Sequence, residues 1–220
     1  MEKHIADILP YATAVALSPM PVAALILMLL SKKAKINSVA FTVGWIIGLA
    51  ALVWLALYVI GLSDQEVRHA TGYSVKTVID VVLGLLLLFL AFMQFKNRQK
   101  KGQAPRVPKW MNAVEKFSPG KALVFGFLLA TLNVKNTPMG ITVGAAISDA
   151  GNKGLSVLIV YLVLASCTIT IPTLGFLIFG KSLKKPLTSL KEWLVNNNAT
   201  IMFILFLILG VILISKAFGF

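Results

Sequence analysis

The sequence predicts an all-α integral membrane protein of six transmembrane helices, and three observations carry that prediction. Hydrophobic residues make up 58% of the 220-residue chain and charged residues only 13%, about half the charge of an ordinary soluble domain. The apolar residues fall in six blocks, each long enough to cross a bilayer, which takes about 20 residues per helix. The basic residues, finally, collect in alternate loops between those blocks.

The blocks predict helices over 8–31, 38–62, 76–95, 121–148, 154–180 and 198–216. The loops after the first, third and fifth sum to +3, +7 and +3, through Lys32, Lys33 and Lys35, through Lys96 to Lys121, and through Lys181, Lys184, Lys185 and Lys191 less Glu192. On the other side Asp64 and Glu66 offset Arg68 and Lys76, and Asp149 offsets Lys153. Short cytoplasmic loops carry the excess of Lys and Arg. The basic loops are therefore expected in the cytoplasm, in a bacterial cytoplasmic membrane, with both termini on the extracytoplasmic side. Topology explains the net charge of +13 without nucleic acid. The start, Met1-Glu2-Lys3-His4, lacks a basic n-region and a clean cleavage site, so the first block reads as a retained helix.

Residues 1–95 and 121–220 each hold three helices, joined by a basic linker over 96–120 that contains Lys96-Asn97-Arg98-Gln99-Lys100-Lys101, Pro105 and Pro108. The run serves topology, or also binds anionic headgroups at about 1 kcal/mol per basic residue. One half begins outside and the other inside. If they share a fold they are related as inverted repeats, an arrangement common in secondary transporters.

The first helix of each half is interrupted near its middle. Helix 1 contains Ser18-Pro19-Met20-Pro21, and helix 4 contains Asn133-Val134-Lys135-Asn136-Thr137-Pro138. Proline removes a backbone donor and clashes with the preceding turn. In hydrocarbon such breaks persist only where protein or water satisfies the freed groups. Paired breaks point to a transport site, and both fall near the midplane: Pro19 is about 15 Å below one surface and Lys135 about 20 Å from the other. Beyond each break a new helix N-terminus offers N–H donors and a positive dipole end. Lys135 adds a full charge beside Asn133 and Asn136, favouring phosphate, sulfate or carboxylate; the bland alternative is a snorkelling or structural lysine. Ser18, Pro19, Pro21, Asn133, Lys135, Asn136, Thr137 and Pro138 are thus the candidate substrate-binding residues.

Asp80 is the one acidic residue expected within a span. It pairs with Lys135 at rest, carries a coupling proton, or pairs with Lys76 one turn away; the sequence leaves all three open. Gly44 and Gly48, and Gly140 and Gly144, have the spacing of close helix packing. Ser166, Thr168, Thr170 and Thr173 surround Pro172 in helix 5 and are expected near the same cavity. His4 and His69 have no metal-ligand spacing, and no metal or cofactor is expected. The single cysteine, Cys167, excludes an internal disulfide and a dithiol electron conduit. No His/Asp/Ser or Arg cluster suited to a membrane phosphatase or acyltransferase stands out, so an enzyme is not expected. Asn198-Ala199-Thr200 fits a glycosylation sequon but abuts helix 6 and is discounted.

At the breaks the chain resembles the LysE superfamily of small exporters, which carry a Ser-Pro-Gly-Pro-like motif early and an Asn-Pro-Lys-like motif in the fourth helix. Ser18-Pro19-Met20-Pro21, the run Ala23 to Leu30, Gly44-Trp45 and Asn133-Val134-Lys135-Asn136 are most similar to the GAP (peptidoglycolipid-addressing, Sap-like) family. Met20 stands where the wider superfamily often has glycine, and Val134 where it often has proline. The resemblance implies an exporter or flippase for a lipid-linked or glycolipid substrate, with Ser18, Pro19, Pro21, Asn133, Lys135 and Asn136 as motif residues. The expected partners are a membrane lipid or an anionic small molecule, with a homodimer left open. Efflux of an amino acid or other small solute is the alternative, although a cationic substrate would want more midplane carboxylate than Asp80.

Overall fold

The structure is a computed structural model that describes residues 2–71, 75–96, 111–114, 116–133 and 135–219, of which 2, 59–71, 75–76, 111–112 and 181 are described in their backbone alone. Most of the linker, the charges expected at Asp64, Glu66, Arg68 and Lys76, and Val134 lie outside what is described. Every regular element among the described residues is helical. In order these are α1 (Glu2–Ala16), α2 (Pro19–Leu30), α3 (Ala34–Thr71), α4 (Val75–Lys96), α5 (Met111–Val114), α6 (Pro119–Thr131), α7 (Asn136–Asp149), α8 (Gly154–Phe179) and α9 (Lys184–Phe218). Single 3-10 turns at Gly151–Lys153 and Gly180–Leu183 lead into α8 and α9.

Both expected interruptions are present. Helix 1 becomes α1 and α2, bent by 52° at Leu17 and Ser18. Helix 4 becomes α6 and α7, separated at 132–135. Among the described residues four helices are long and apolar enough to cross a membrane, or five when the bent α1–α2 pair counts as one span. The multi-pass membrane character read from the sequence therefore holds. Three helices exceed their expected bounds by several residues. α1 begins at Glu2 rather than 8. α3 runs on to Thr71, and α9 begins at Lys184 rather than 198, its first four turns drawn from the basic loop. Lys184, Lys185, Lys191 and Glu192 are no obstacle to a helix once it has left hydrocarbon.

Local chemistry sets the ends. Ser118 accepts from the Lys121 N–H at 3.4 Å, and Pro119 follows at the first helical position of α6. Gly180, at φ +58, terminates α8 in a backbone region that L side chains rarely adopt.

α2 lies in the centre. Ten of its residues are buried, including the whole run Val22 to Leu29, as expected of a helix apolar on every side. Large apolar side chains on α4 and α8 point outward instead: Phe89, Phe92, Leu155 and Ile178 are 60–75% exposed. Such a surface suits lipid rather than water.

α3 is the continuous helix against which the broken one is set. It packs on both α6 and α7. A Cβ added at Gly44 would overlap the Leu123 carbonyl, and one at Gly126 the Phe41 carbonyl. Further along α3, Leu52 meets Gly140, and Ala56 meets Gly144. The glycines singled out in the sequence thus serve helix contact, and Gly126 joins them. α4 and α9 pair along their length. Their order is antiparallel, because the tilted rings of Phe95 and Phe203 lie 5.3 Å apart while Gly84 lies against Gly210 and Ile214. α1 lies on α8, and α2 lies on α9.

Candidate functional site

The break after α1 exposes the last carbonyls of a half-helix, the negative end of its dipole. Four donors satisfy them. The Leu17 N–H donates to the Thr13 carbonyl at 2.9 Å. Lys135 Nζ donates to the Ala14 carbonyl, Ser18 Oγ to the Val15 carbonyl, and Thr168 Oγ1 to the Ala16 carbonyl at 2.5 Å. Lysine, serine and threonine from three separate segments therefore close one helix end. Lys135 is only 2% exposed, and a carbonyl-rich, electronegative helix end is where a buried cation is best tolerated.

The second break is closed by its own asparagines. Asn136 Nδ2 donates to the Ala130 carbonyl at 3.0 Å, capping the end of α6. The Asn133 carbonyl accepts from the N–H groups of Asn136 (2.8 Å) and Thr137 (3.3 Å), and its Oδ1 accepts from the Lys135 N–H (3.3 Å). The half-helix N-termini are consequently poorer in free donors than the sequence reading expected. At α7 Asn133 takes the first N–H groups. At α2, Pro19 and Pro21 have none and Val22 donates to the Ser18 carbonyl at 3.3 Å, so Met20 alone among the first three residues has a donor to offer.

Beside the breaks lies a cavity of about 310 Å³. The Ser18–Pro21 segment, Asn133 and Lys135 form one side; Gln94 and Leu90 of α4 and Asn198, Met202 and Phe206 of α9 form the other. Its lining is therefore mixed: Ser18, Asn133, Lys135, Gln94 and Asn198 bring polar side chains, and Pro19, Met20, Pro21, Leu90, Met202 and Phe206 apolar ones. Gln94 and Asn198 sit toward the ends of their spans next to the basic loops, since Lys96 closes α4.

Of the residues expected to bind substrate, Ser18, Pro19, Pro21, Asn133 and Lys135 meet at this cavity. Asn136 and Pro138 are buried beside it, Thr137 is half-buried, and none of the three is in its lining. Thr168 caps α1, and Thr173 shares a 3.0 Å hydrogen bond with Thr42 of α3, so neither lines the cavity as expected. Asp80 is buried on α4, and its charge bears on the Tyr11 phenol of α1.

Gln94 and Asn198 escaped the sequence reading. Gln94 is an isolated carboxamide in an apolar stretch, a signal that was there to use. Asn198 belongs to Asn196-Asn197-Asn198, which drew notice only as part of a sequon. Among the described residues no group of three or more His, Cys, Asp or Glu could hold a metal ion.

Fold and cavity together define a multi-pass helical membrane protein with an amphipathic cavity set against broken helices. Residues 8–219 match the family model described as Sap, sulfolipid-1-addressing protein. The chain belongs to that family. No curated protein and no solved structure matches it.

Proposed function

We propose that the protein is a transporter, not an enzyme, that moves or flips an anionic amphiphile, such as a lipid-linked phosphate or glycolipid, across the cytoplasmic membrane. The observation that carries this reading is the mixed polar and apolar lining of the cavity. Lys135, Ser18 and the carboxamides of Asn133, Gln94 and Asn198 suit a polar, anionic headgroup, and Leu90, Met202 and Phe206 suit the start of a chain. A compact solute would have no use for the apolar part. Membership of a family named for sulfolipid addressing supports a lipid cargo.

In this reading the chain crosses the membrane six times, α1–α2 and α6–α7 each counting as one broken span near the midplane, and the two halves are inverted repeats. The pattern of helix pairs supports it. Exchanging α1, α2, α3 and α4 for α6, α7, α8 and α9 turns the α3–α6 contact into α8–α1, α3–α7 into α8–α2, α2–α9 into α7–α4, and returns α4–α9 to itself; each pair is present. Pro21 and Pro138 are both the third residue of their half-helix. The basic loops face the cytoplasm and both termini the other side. On that topology the cavity is nearer the cytoplasmic leaflet, the side from which an exporter loads.

The test is a reconstituted flip assay with fluorescent lipids of equal chain length, one anionic and one zwitterionic, read by dithionite quenching of the outer leaflet. Wild-type protein should move the anionic lipid faster than protein-free vesicles do, and Lys135→Met should not. Equal rates for both lipids in both proteins would discard the anionic-lipid reading, and uptake of a labelled amino acid instead would favour a small-solute exporter.

A further inference from the structure

A second group of polar residues lies away from the cavity, where the ends of α1, α4 and α9 meet. Asp7 and Lys216 form an ion pair at 3.1 Å, each about one third exposed. The same ammonium lies 5.4 Å from the centre of the Tyr11 ring. Tyr11 is 1% exposed, and its hydroxyl has no hydrogen-bond partner among the described residues. Both Asp80 and Asp7 act on that phenol electrostatically. The antiparallel register of α4 on α9 confirms the level. Phe95 meets Phe203 and Gly84 meets Gly210 and Ile214, so Asp80, one turn before Gly84, comes level with Lys216. Along α4 this layer is about 21 Å from Gln94.

A buried phenol without an acceptor is costly, by about 1–3 kcal/mol. Its persistence beside a carboxylate that is 3% exposed suggests a donor whose acceptor changes with protonation. We propose that Asp80 and Tyr11 form a proton-binding site at this end of the bundle, reached from solvent past the Asp7–Lys216 pair. A proton from solvent adds to the Asp80 carboxylate and makes the neutral acid. Tyr11 keeps its own proton throughout, donating to Asp80, directly or through one water, only while Asp80 is ionised. The Asp7 carboxylate, about one third exposed, marks the solvent side of this path, and Lys216 holds it in place. Other titratable groups at this end include the exposed Lys3 and half-buried His4 on α1, Lys76 one turn before Asp80 in the sequence of α4, the exposed Asp149 and Lys153 between α7 and α8, and the buried Tyr161 on α8. Neutralising Asp80 changes the charge of the layer that joins α1 to α4 and α9. Since α1 ends at the break beside the cavity, that change is transmitted to the site along α1. The coupling rests on the transport reading; the proton site does not.

Infrared difference spectra of the purified protein in lipid, recorded as pH is stepped, test the site directly. A protonated-carboxyl band should grow as pH falls, vanish in Asp80→Asn and persist in Asp149→Asn. In Tyr11→Phe its midpoint should move to higher pH by about one unit, because the carboxylate loses a hydrogen-bond donor. An unchanged band in Asp80→Asn, or an unmoved midpoint in Tyr11→Phe, overturns the proposal. Should Asp80→Asn not yield monodisperse protein, Asp80→Glu reads the same assignment: the band must shift in frequency, and a band left in place refutes it. Loss of this site leaves the cavity reading intact, and failed lipid movement leaves the spectrum unaffected.

Discussion

The ammonium of Lys135 donates to the carbonyl of Ala14, 121 positions away in sequence, and so closes the end of the half-helix before the first break with a side chain from the second. A cation held on a neutral carbonyl rather than on a carboxylate is one that an anion can draw away. The competing acceptor offers a full charge, and the carbonyl only a dipole. Recognition of a headgroup would then uncap α1, coupling occupancy of the cavity to the angle between α1 and α2.

Lys135→Met should lower anionic-lipid movement at least about tenfold while leaving thermal stability near wild type. Leaving the Ala14 carbonyl without its donor costs about 1–3 kcal/mol, and deleting a lysine at bilayer depth returns about 3 kcal/mol. Lys135→Arg should rescue in part, since the guanidinium is planar and larger than an ammonium. The readout is the initial quench-protected rate of monodisperse variants, and wild-type rates in Lys135→Met would leave the residue with a structural role alone.

Thr168→Val removes the hydroxyl from the Ala16 carbonyl with almost no change of shape. It should destabilise the protein by about 1 kcal/mol, whereas Thr168→Ser should keep most of that stability. Thermal unfolding in detergent compares the three. Identical melting temperatures would mean that water replaces the cap.

Gly126→Ala drives a Cβ into the Phe41 carbonyl, where both partners are backbone and neither can rotate away. A loss of about 1–3 kcal/mol is expected from such overpacking. Gly120→Ala, at the start of the same helix with nothing within 4 Å of the new atom, should be neutral or slightly stabilising. The pair is compared by unfolding, and similar melting points would contradict the close α3–α6 contact.

Asn198→Leu keeps volume but removes a carboxamide from the lining of the cavity. The variant should fold and should slow the anionic lipid several-fold, an effect seen in the rate and not in the melting curve.

Cysteine placed at Gln103 on a Cys167→Ser background should be protected from an impermeant reagent in intact cells and become reactive on lysis. Labelling before lysis would invert the assignment of the basic loops to the cytoplasm.

Sequence alone settled those features that depend on one segment meeting its solvent. Blocks of about 20 apolar residues must be helical in a bilayer, because no other single segment satisfies its own backbone there. Pro19, Pro21 and Pro138, set among polar residues, favour a helix start, because a first turn has no use for the missing N–H. Pro10 and Pro172, inside continuous helices, show that proline alone does not end one. The two breaks, and five of the eight residues expected to meet around them, were legible on those grounds. Three-dimensional packing decided which donor met which carbonyl. Ser18 reaches the adjacent turn, but Lys135 and Thr168 come from α6–α7 and α8, and no local pattern encodes a partner more than 100 residues distant. Gln94 and Asn198 became cavity residues only through the antiparallel register of α4 on α9. Asn136 and Thr168, read as facing the site, were instead committed to capping, because a carbonyl left bare in hydrocarbon is costly enough to claim the nearest donor.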